Sequence, residues 1–182
     1  LSTHKRGYDL SFRTEKHILK PEIEKVLHKH SISDGGVGVA FTTLTDSDLK
    51  FKSAKDSKGK EHQIKTASDA SLLLKHSDRA LRKNTWINFH SAYDQYRNTL
   101  SQTLYYTYLD FNATSKVYNF KDYIDATTFA DEINEKFILN LYKEVASFRD
   151  IHKQYKDKVS SLLKKQLKLK ELEPWDISVD LA

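Results

Sequence analysis

The sequence predicts a mainly α-helical chain with a small β-hairpin near residues 48–66 and a short C-terminal strand. Three observations carry that prediction. Glycine occurs only at 7, 35, 36, 38 and 59 and proline only at 21 and 174, so Lys60 to Glu173 holds neither helix breaker. Within that stretch apolar side chains recur at steps of three and four, the helical period. Around Gly59 and after Pro174 the pattern changes to short runs and to alternation, the signatures of strands.

Leu1-Ser2-Thr3-His4-Lys5-Arg6-Gly7 is basic with no apolar core behind it, which is incompatible with an intact secretory signal. Residues 1–20 read as an extension or tail. The chain contains no methionine, so Leu1 is not expected to be an unprocessed start, and the sequence reads as a processed chain or a piece of a longer one. Pro21 to His30 reads as a helix with proline in its first turn and Ile23, Val26 and Leu27 on one face. Asp34-Gly35-Gly36-Val37-Gly38 should end it as a flexible turn.

Leu49-Lys50-Phe51-Lys52 and Glu61-His62-Gln63-Ile64-Lys65 flank the turn-rich Asp56-Ser57-Lys58-Gly59-Lys60, which predicts the hairpin. Ser77 and Asp78 are natural N-cap and first-turn residues for a long helix whose stripe runs Trp86, Phe89, Tyr93, Tyr96, Leu100, Leu104, Tyr108, Phe111. A break is expected at Asn112 to Ser115, where short polar side chains compete for backbone hydrogen bonds. A short helix follows near Asp122 to Thr127. Ile133, Phe137, Leu141, Val145, Phe148, Tyr155, Val159 and Leu162 then mark two helices, or one bent one, through Asp131 to Lys170. Ile177, Val179 and Leu181 alternate as in a half-buried strand.

A length of 182 residues suits about one domain. Hydrophobic residues make up 38% and charged residues 30%, with a mean hydropathy of −0.65. No apolar run reaches the roughly 18 residues a membrane span needs, so no membrane partner is expected. The absence of cysteine excludes disulfides and thiolate-ligated zinc or iron–sulfur sites, and points to a reducing cytoplasm.

Histidines stand at 4, 17, 28, 30, 62, 76, 90 and 152, and none forms the His-Glu-x-x-His pair that puts two imidazoles on one helical face. His28 and His30 point about 200° apart on a helix. No Gly-Lys-Ser/Thr follows the glycine cluster, so it is not read as a phosphate loop. Ser161-Leu162-Leu163-Lys164 matches Ser-x-x-Lys only as part of a Lys/Leu helix, and Asp131-Glu132, Glu171 and Glu173 lie at expected helix ends. Net charge is +5 with a pI near 9.1, which raises nucleic acid as a partner. Against it, Tyr105, Tyr106 and Tyr108 have no basic neighbours, and Lys164-Lys165-Gln166-Leu167-Lys168-Leu169-Lys170 has the pattern of a solvated helix face.

The order of motifs is more telling than any one of them. Asp48-Leu49-Lys50-Phe51, then Asp56 to Gly59-Lys60-Glu61, then Ser71-Leu72-Leu73-Leu74 and Ser77-Asp78-Arg79-Ala80-Leu81-Arg82-Lys83 resembles the N-terminal lobe of the oligoendopeptidase F family. The similarity continues to Pro174-Trp175-Asp176-Ile177 and covers roughly Ile18 to Leu181. The resemblance implies a zinc metallopeptidase that cleaves oligopeptides, with a metal polarising the scissile carbonyl and the glutamate of His-Glu-x-x-His as general base. None of those positions is present, so no catalytic, cofactor-binding or metal residue is assigned, and zinc is expected only in the full-length enzyme. Residues 21–111 would be the N-terminal-lobe-like segment, and 112–182 the helical start of the metallopeptidase domain, stopping before the zinc site. One departure stands out: the family's Arg-Gly-Tyr-like turn is replaced by Lys116-Val117-Tyr118-Asn119-Phe120.

The expected function is therefore a non-catalytic helical lobe walling the substrate channel of an oligoendopeptidase, inactive by itself. The alternatives are a self-contained basic binding module for nucleic acid or protein, and a helical bundle that mediates assembly.

Overall fold

A computed structural model gives the fold for residues 4–31 and 35–180; Asp34 and Leu181 lie outside the described residues. The chain divides into two compact units, Leu1–Phe41 with Ser101–Lys143, and Thr42–Leu100 with Glu144–Ala182.

The first unit opens with α1 (Lys5–Glu15), a helix within the stretch whose sequence carried no periodic apolar signal. Then α2 spans Pro21–His30 as expected, with Glu22 and Glu24 in its first turn and His28, Lys29 and His30 in its last, each sign facing the matching end of the helix dipole. The glycine cluster corrects the sequence reading. Gly35 does take a left-handed turn at φ 83°, but Gly36 already begins α3 (Gly36–Thr42), whose first turn closes through Val39 N–H to Gly35 O at 2.9 Å. Glycine lowers helix propensity without forbidding helical dihedrals.

The expected break at Asn112 to Ser115 does not occur, because α6 runs on through Arg97–Val117. The polar side chains that could have broken the helix bond back along it instead, Asn112 Nδ2 to Tyr108 O at 3.0 Å and Ser115 Oγ to Phe111 O at 2.7 Å. Asp122 then caps α7 (Tyr123–Thr128) through Asp125 N–H, and α8 follows over Glu135–Ser147.

In the second unit a π-helical turn, Thr43–Asp48, leads to the hairpin. Strands β1 (Ala54–Lys55) and β2 (Glu61–His62) pair antiparallel, Ala54 opposite His62 and Lys55 opposite Glu61. The turn is built by Asp56, whose Oδ1 accepts the Lys58 and Lys60 N–H groups at 2.9 Å each, while Gly59 takes φ 81°. The paired residues abut this turn; the Leu49–Lys52 run does not join the ladder, and Leu49 is buried instead. Thr66 and Asp69 form a reciprocal capping box on α4 (Ala67–Leu74).

The helix start expected at Ser77 and Asp78 is found with Asp78 itself as the cap of α5 (Arg79–Asp94), its side chain accepting the Leu81 N–H. The long stripe is two helices, because Tyr96 N–H bonds Tyr93 O at 3.0 Å, an i−3 contact that tightens the turn before α6. Ala54, Ile64, Ala70 and Leu81 form the core, with Phe51, Leu73 and Phe89 packed on it and the Phe51 and Phe89 rings stacked at 5.0 Å. The last helix, α9 (Arg149–Leu167), follows Phe148, so the second stripe is also two helices.

The C-terminal strand is a further correction. Pro174–Asp176 is a 3-10 turn with a reciprocal cap between Glu173 and Asp176, and no strand follows among the described residues. Val179 is buried while Ile177 is 66% exposed, so the alternating residues do not share a face. One hydrogen bond, Asp180 N–H to Lys75 O at 3.0 Å, ties the segment to the end of α4.

Candidate functional site

The most strongly polar buried constellation forms where α5 meets the C-terminal turn. Arg79 and Arg82 lie three residues apart in the first turns of α5 and so share a face. Asp176 enters between them, fully buried, with Oδ1 2.8 Å from an Arg82 terminal nitrogen and 3.0 Å from Arg79 Nε, and Oδ2 2.8 Å from an Arg79 terminal nitrogen. Glu173 N–H adds a bond to Oδ2 at 3.1 Å. The rest of the Arg82 fork donates to Trp175 O at 3.0 Å and to His76 O and Ser77 O at 2.9 Å each. Burial works against ionisation of Asp176, but the Arg79 and Arg82 hydrogen bonds outweigh it and hold the carboxyl down at about 2. A carboxylate with both oxygens occupied cannot serve as a general base. The constellation is a clamp that fixes residues 173–176 to α5.

Sequence reasoning quoted these residues only as parts of motifs. The readable signal was arginine at i and i+3 directly after a helix cap, with an aspartate able to cap a Pro-initiated turn far along the chain. Beside the clamp, Lys83 Nζ lies 5.5 Å from the centre of the Trp175 ring, and Trp86 meets that ring edge-on at 5.9 Å.

In the first unit, His17 is buried at the end of α1. Its ring stacks on Phe120 at 3.6 Å and meets the edge of Phe129 at 4.7 Å, and its Nδ1 is 2.7 Å from Tyr118 O. A carbonyl can only accept, so Nδ1 carries a proton. Arg13 lies over the Phe129 ring at 4.6 Å, donates to Phe129 O at 3.2 Å and pairs with Glu132 at 3.4 Å. Asn119 adopts φ 62° and donates from its amide to Lys16 O at 3.0 Å. Asparagine is among the few non-glycine residues that adopt this left-handed conformation routinely.

The histidines do not assemble a metal centre. His28 and His30 sit two apart on α2. His62 Nε2 faces Asp56 Oδ2 at 3.1 Å, and this bond is the main cause of an Asp56 carboxyl held below its usual range. The His76 ring lies 6.3 Å from that of His62, and its Nδ1 accepts the Asp78 N–H at 2.9 Å. Among the described residues no three of His, Cys, Asp and Glu are placed to hold a metal ion, so the side chains present do not fit zinc.

Ser161 Oγ is bonded to Asp157 O at 2.8 Å, which leaves it without a base. Arg149, Asp150, His152, Lys153 and Lys156 line an open depression of about 460 Å³ on the first turns of α9. These charges face water, where salt screens them. Tyr105, Tyr106 and Tyr108 are all more than half exposed, although Tyr108 had been placed on the apolar stripe. No helix among the described residues is long and apolar enough to cross a membrane.

Residues 72–179 match the pattern of peptidase family M3, and residues 1–51 match that of oligopeptidase F. An oligoendopeptidase F homolog of Mycoplasma pneumoniae is 33% identical over 181 residues, covering 100% of this chain and 30% of that protein. Oligopeptidase PepF of Bacillus subtilis is 30% identical over 166 residues, 91% of this chain and 24% of that protein. The crystal structure of oligoendopeptidase-F from Enterococcus faecium superposes with a TM-score of 0.79 at 23% identity, over 99% of this chain and 35% of that one, a likeness of fold. The chain thus spans less than a third of the length of these curated relatives.

Proposed function

Because the chain belongs to peptidase family M3, we propose that it is a segment of a zinc-dependent oligoendopeptidase that hydrolyses short peptides in the cytoplasm, and that this segment is the non-catalytic helical lobe walling the substrate channel. In this reading residues 21–111 form the N-terminal-lobe-like part and 112–182 the helical start of the metallopeptidase domain. In this reading zinc is held by residues outside this chain.

The observation that carries the reading is the family match over residues 72–179, supported by relatives named as oligoendopeptidases. Two features of the chain agree with a supporting lobe. Its strongest charge constellation is saturated and structural, so its role is to fix the segment at Asp176 against α5. Every residue from 139 to 158 is exposed, including Leu141, Tyr142, Val145, Phe148, Ile151 and Tyr155, which suits a surface that further polypeptide would cover.

The test is to purify the chain, add zinc and supply an internally quenched fluorescent peptide. No turnover is expected. Cleavage abolished by a chelator would overturn the assignment as a non-catalytic lobe.

A further inference from the structure

We propose that His17 is an acid-sensitive latch: the neutral imidazole holds α1 on the segment from Tyr118 to Glu132, and a second proton on the ring releases the helix. The latch stands on the geometry of the first unit alone and does not depend on the peptidase reading.

Helix α1 has little apolar attachment of its own. None of its residues is buried, and Tyr8 and Phe12 are 55% and 71% exposed. Leu10 and Arg13 are its only half-buried residues, and His17, just past its end, is the one buried residue among those described up to Phe41. The helix is therefore held at its C-terminal end. There the His17 ring lies on Phe120 and against the edge of Phe129, and its Nδ1–H donates to Tyr118 O at 2.7 Å. Arg13 and Asn119 add one bond each, to Phe129 O at 3.2 Å and to Lys16 O at 3.0 Å.

The other ring nitrogen makes the latch conditional. His17 Nε2 is buried and has no hydrogen-bond partner. With the proton on Nδ1 it is a bare lone pair among aromatic carbons, which costs one unmade hydrogen bond. A second proton turns it into a charged donor facing no acceptor, and burying an unpaired charge costs far more. No neighbour offsets it. Phe120 and Phe129 present rings, and Tyr118 presents a carbonyl that Nδ1–H already occupies. Arg13 on α1 brings a like charge over the Phe129 ring, and Glu132 is engaged by Arg13 at 3.4 Å. Lys16 and Lys121 are exposed cations, and Asp122 is committed to the cap of α7. The ring leaves this seat to find water, α1 goes with it, and the edge-to-face pair of Phe120 and Phe129, 5.3 Å apart, is uncovered.

The test is amide hydrogen exchange read by NMR on the full chain at about pH 8 and about pH 5, the interval across which histidine ordinarily changes charge. Protection factors, corrected for the intrinsic rate at each pH, are expected to fall about tenfold or more at Leu10 to His17, the scale of one buried unpaired donor. Those at Tyr105 to Ser115 of α6 should hold. His17→Phe keeps a ring in the stack without a ring nitrogen, and should lose the acid response. Nitrogen-15 spectra of the unsubstituted ring are a check that needs no variant: a proton on Nδ1 alone is expected at the higher pH and on both nitrogens at the lower. Unchanged protection of α1 in acid, an equal fall in α6, an equal fall in His17→Phe, a fall without a second ring proton, or a proton on Nε2 at the higher pH would each overturn the proposal.

Discussion

Two helices with the same kind of apolar periodicity meet opposite fates. In α5, Leu81, Arg82, Thr85 and Ala92 are buried, Phe89 stacks on Phe51, and the amide groups of Asn84 and Asn88 reach back to Lys55 O and Ser53 O at 2.8 and 2.9 Å. In α9, Ile151 and Tyr155 continue a regular stripe and are 63% and 64% exposed; only Leu163, near its end, is buried. The period therefore states which face a helix can bury, while the presence of something to bury it against is a separate fact of the tertiary structure.

The sharpest way to break the contrast is to open the α5 clamp. Asp176→Ala leaves Arg82 buried and unpaired, and should cost about 3–5 kcal/mol in urea denaturation followed by tryptophan fluorescence. A loss under 1 kcal/mol would show that the clamp is not what anchors this region.

Acid tests the same point more gently. The folded Asp176 carboxyl titrates at about 2 against an ordinary value of 3.8, so its contribution is fully present above about pH 4 and is lost as pH falls toward 2. About 2 kcal/mol of stability should disappear across that window. Asp176→Asn should remove that part of the pH dependence, and an unchanged acid profile in the variant would reject the assignment.

A smaller effect is expected at the helix cap. Asp78 is held at about 2, chiefly by the Ser57 hydroxyl and the Leu81 N–H, and Asp78→Ala should cost about 1 kcal/mol by the same denaturation measurement. The smallest belongs to α9, where Ile151→Gln should change stability by no more than about 0.5 kcal/mol in this chain. A loss above 1 kcal/mol there would mean that the stripe is already covered, and the contrast between the two helices would fall.

The helical class, the hairpin, the proline start of α2 and the start of α5 at Ser77 and Asp78 were legible because each is written locally, in spacing, in Asp56 to Lys60 or in short polar side chains suited to a helix start. Helix ends were less so. Asn112 and Ser115 have the side chains of breakers, and only the carbonyl each one bonds decides whether the helix continues. The C-terminal strand was misread because alternation of Ile177 and Val179 ignored the turn that Pro174 and Asp176 impose just before them. The clamp itself was hidden by distance, since nothing in the order of residues says that Asp176 lies between side chains from positions 79 and 82. The family resemblance, by contrast, needed no contact to be seen, because it resides in motif order; the match over residues 72–179 agrees with it.

Asp176 also gives the C-terminal segment an unusual standing. Residues 173–180 are attached through a carboxylate seated between two guanidinium groups, an Arg82 bond to Trp175 O, the contacts of the Trp175 ring with Trp86 and Lys83, one buried valine and one backbone–backbone bond, with no sheet pairing among the described residues. Such a segment is a tethered ligand of its own chain. Its tether supplies a local concentration on the order of millimolar, so a free octapeptide of the same sequence would have to exceed that level before it could compete for the seat.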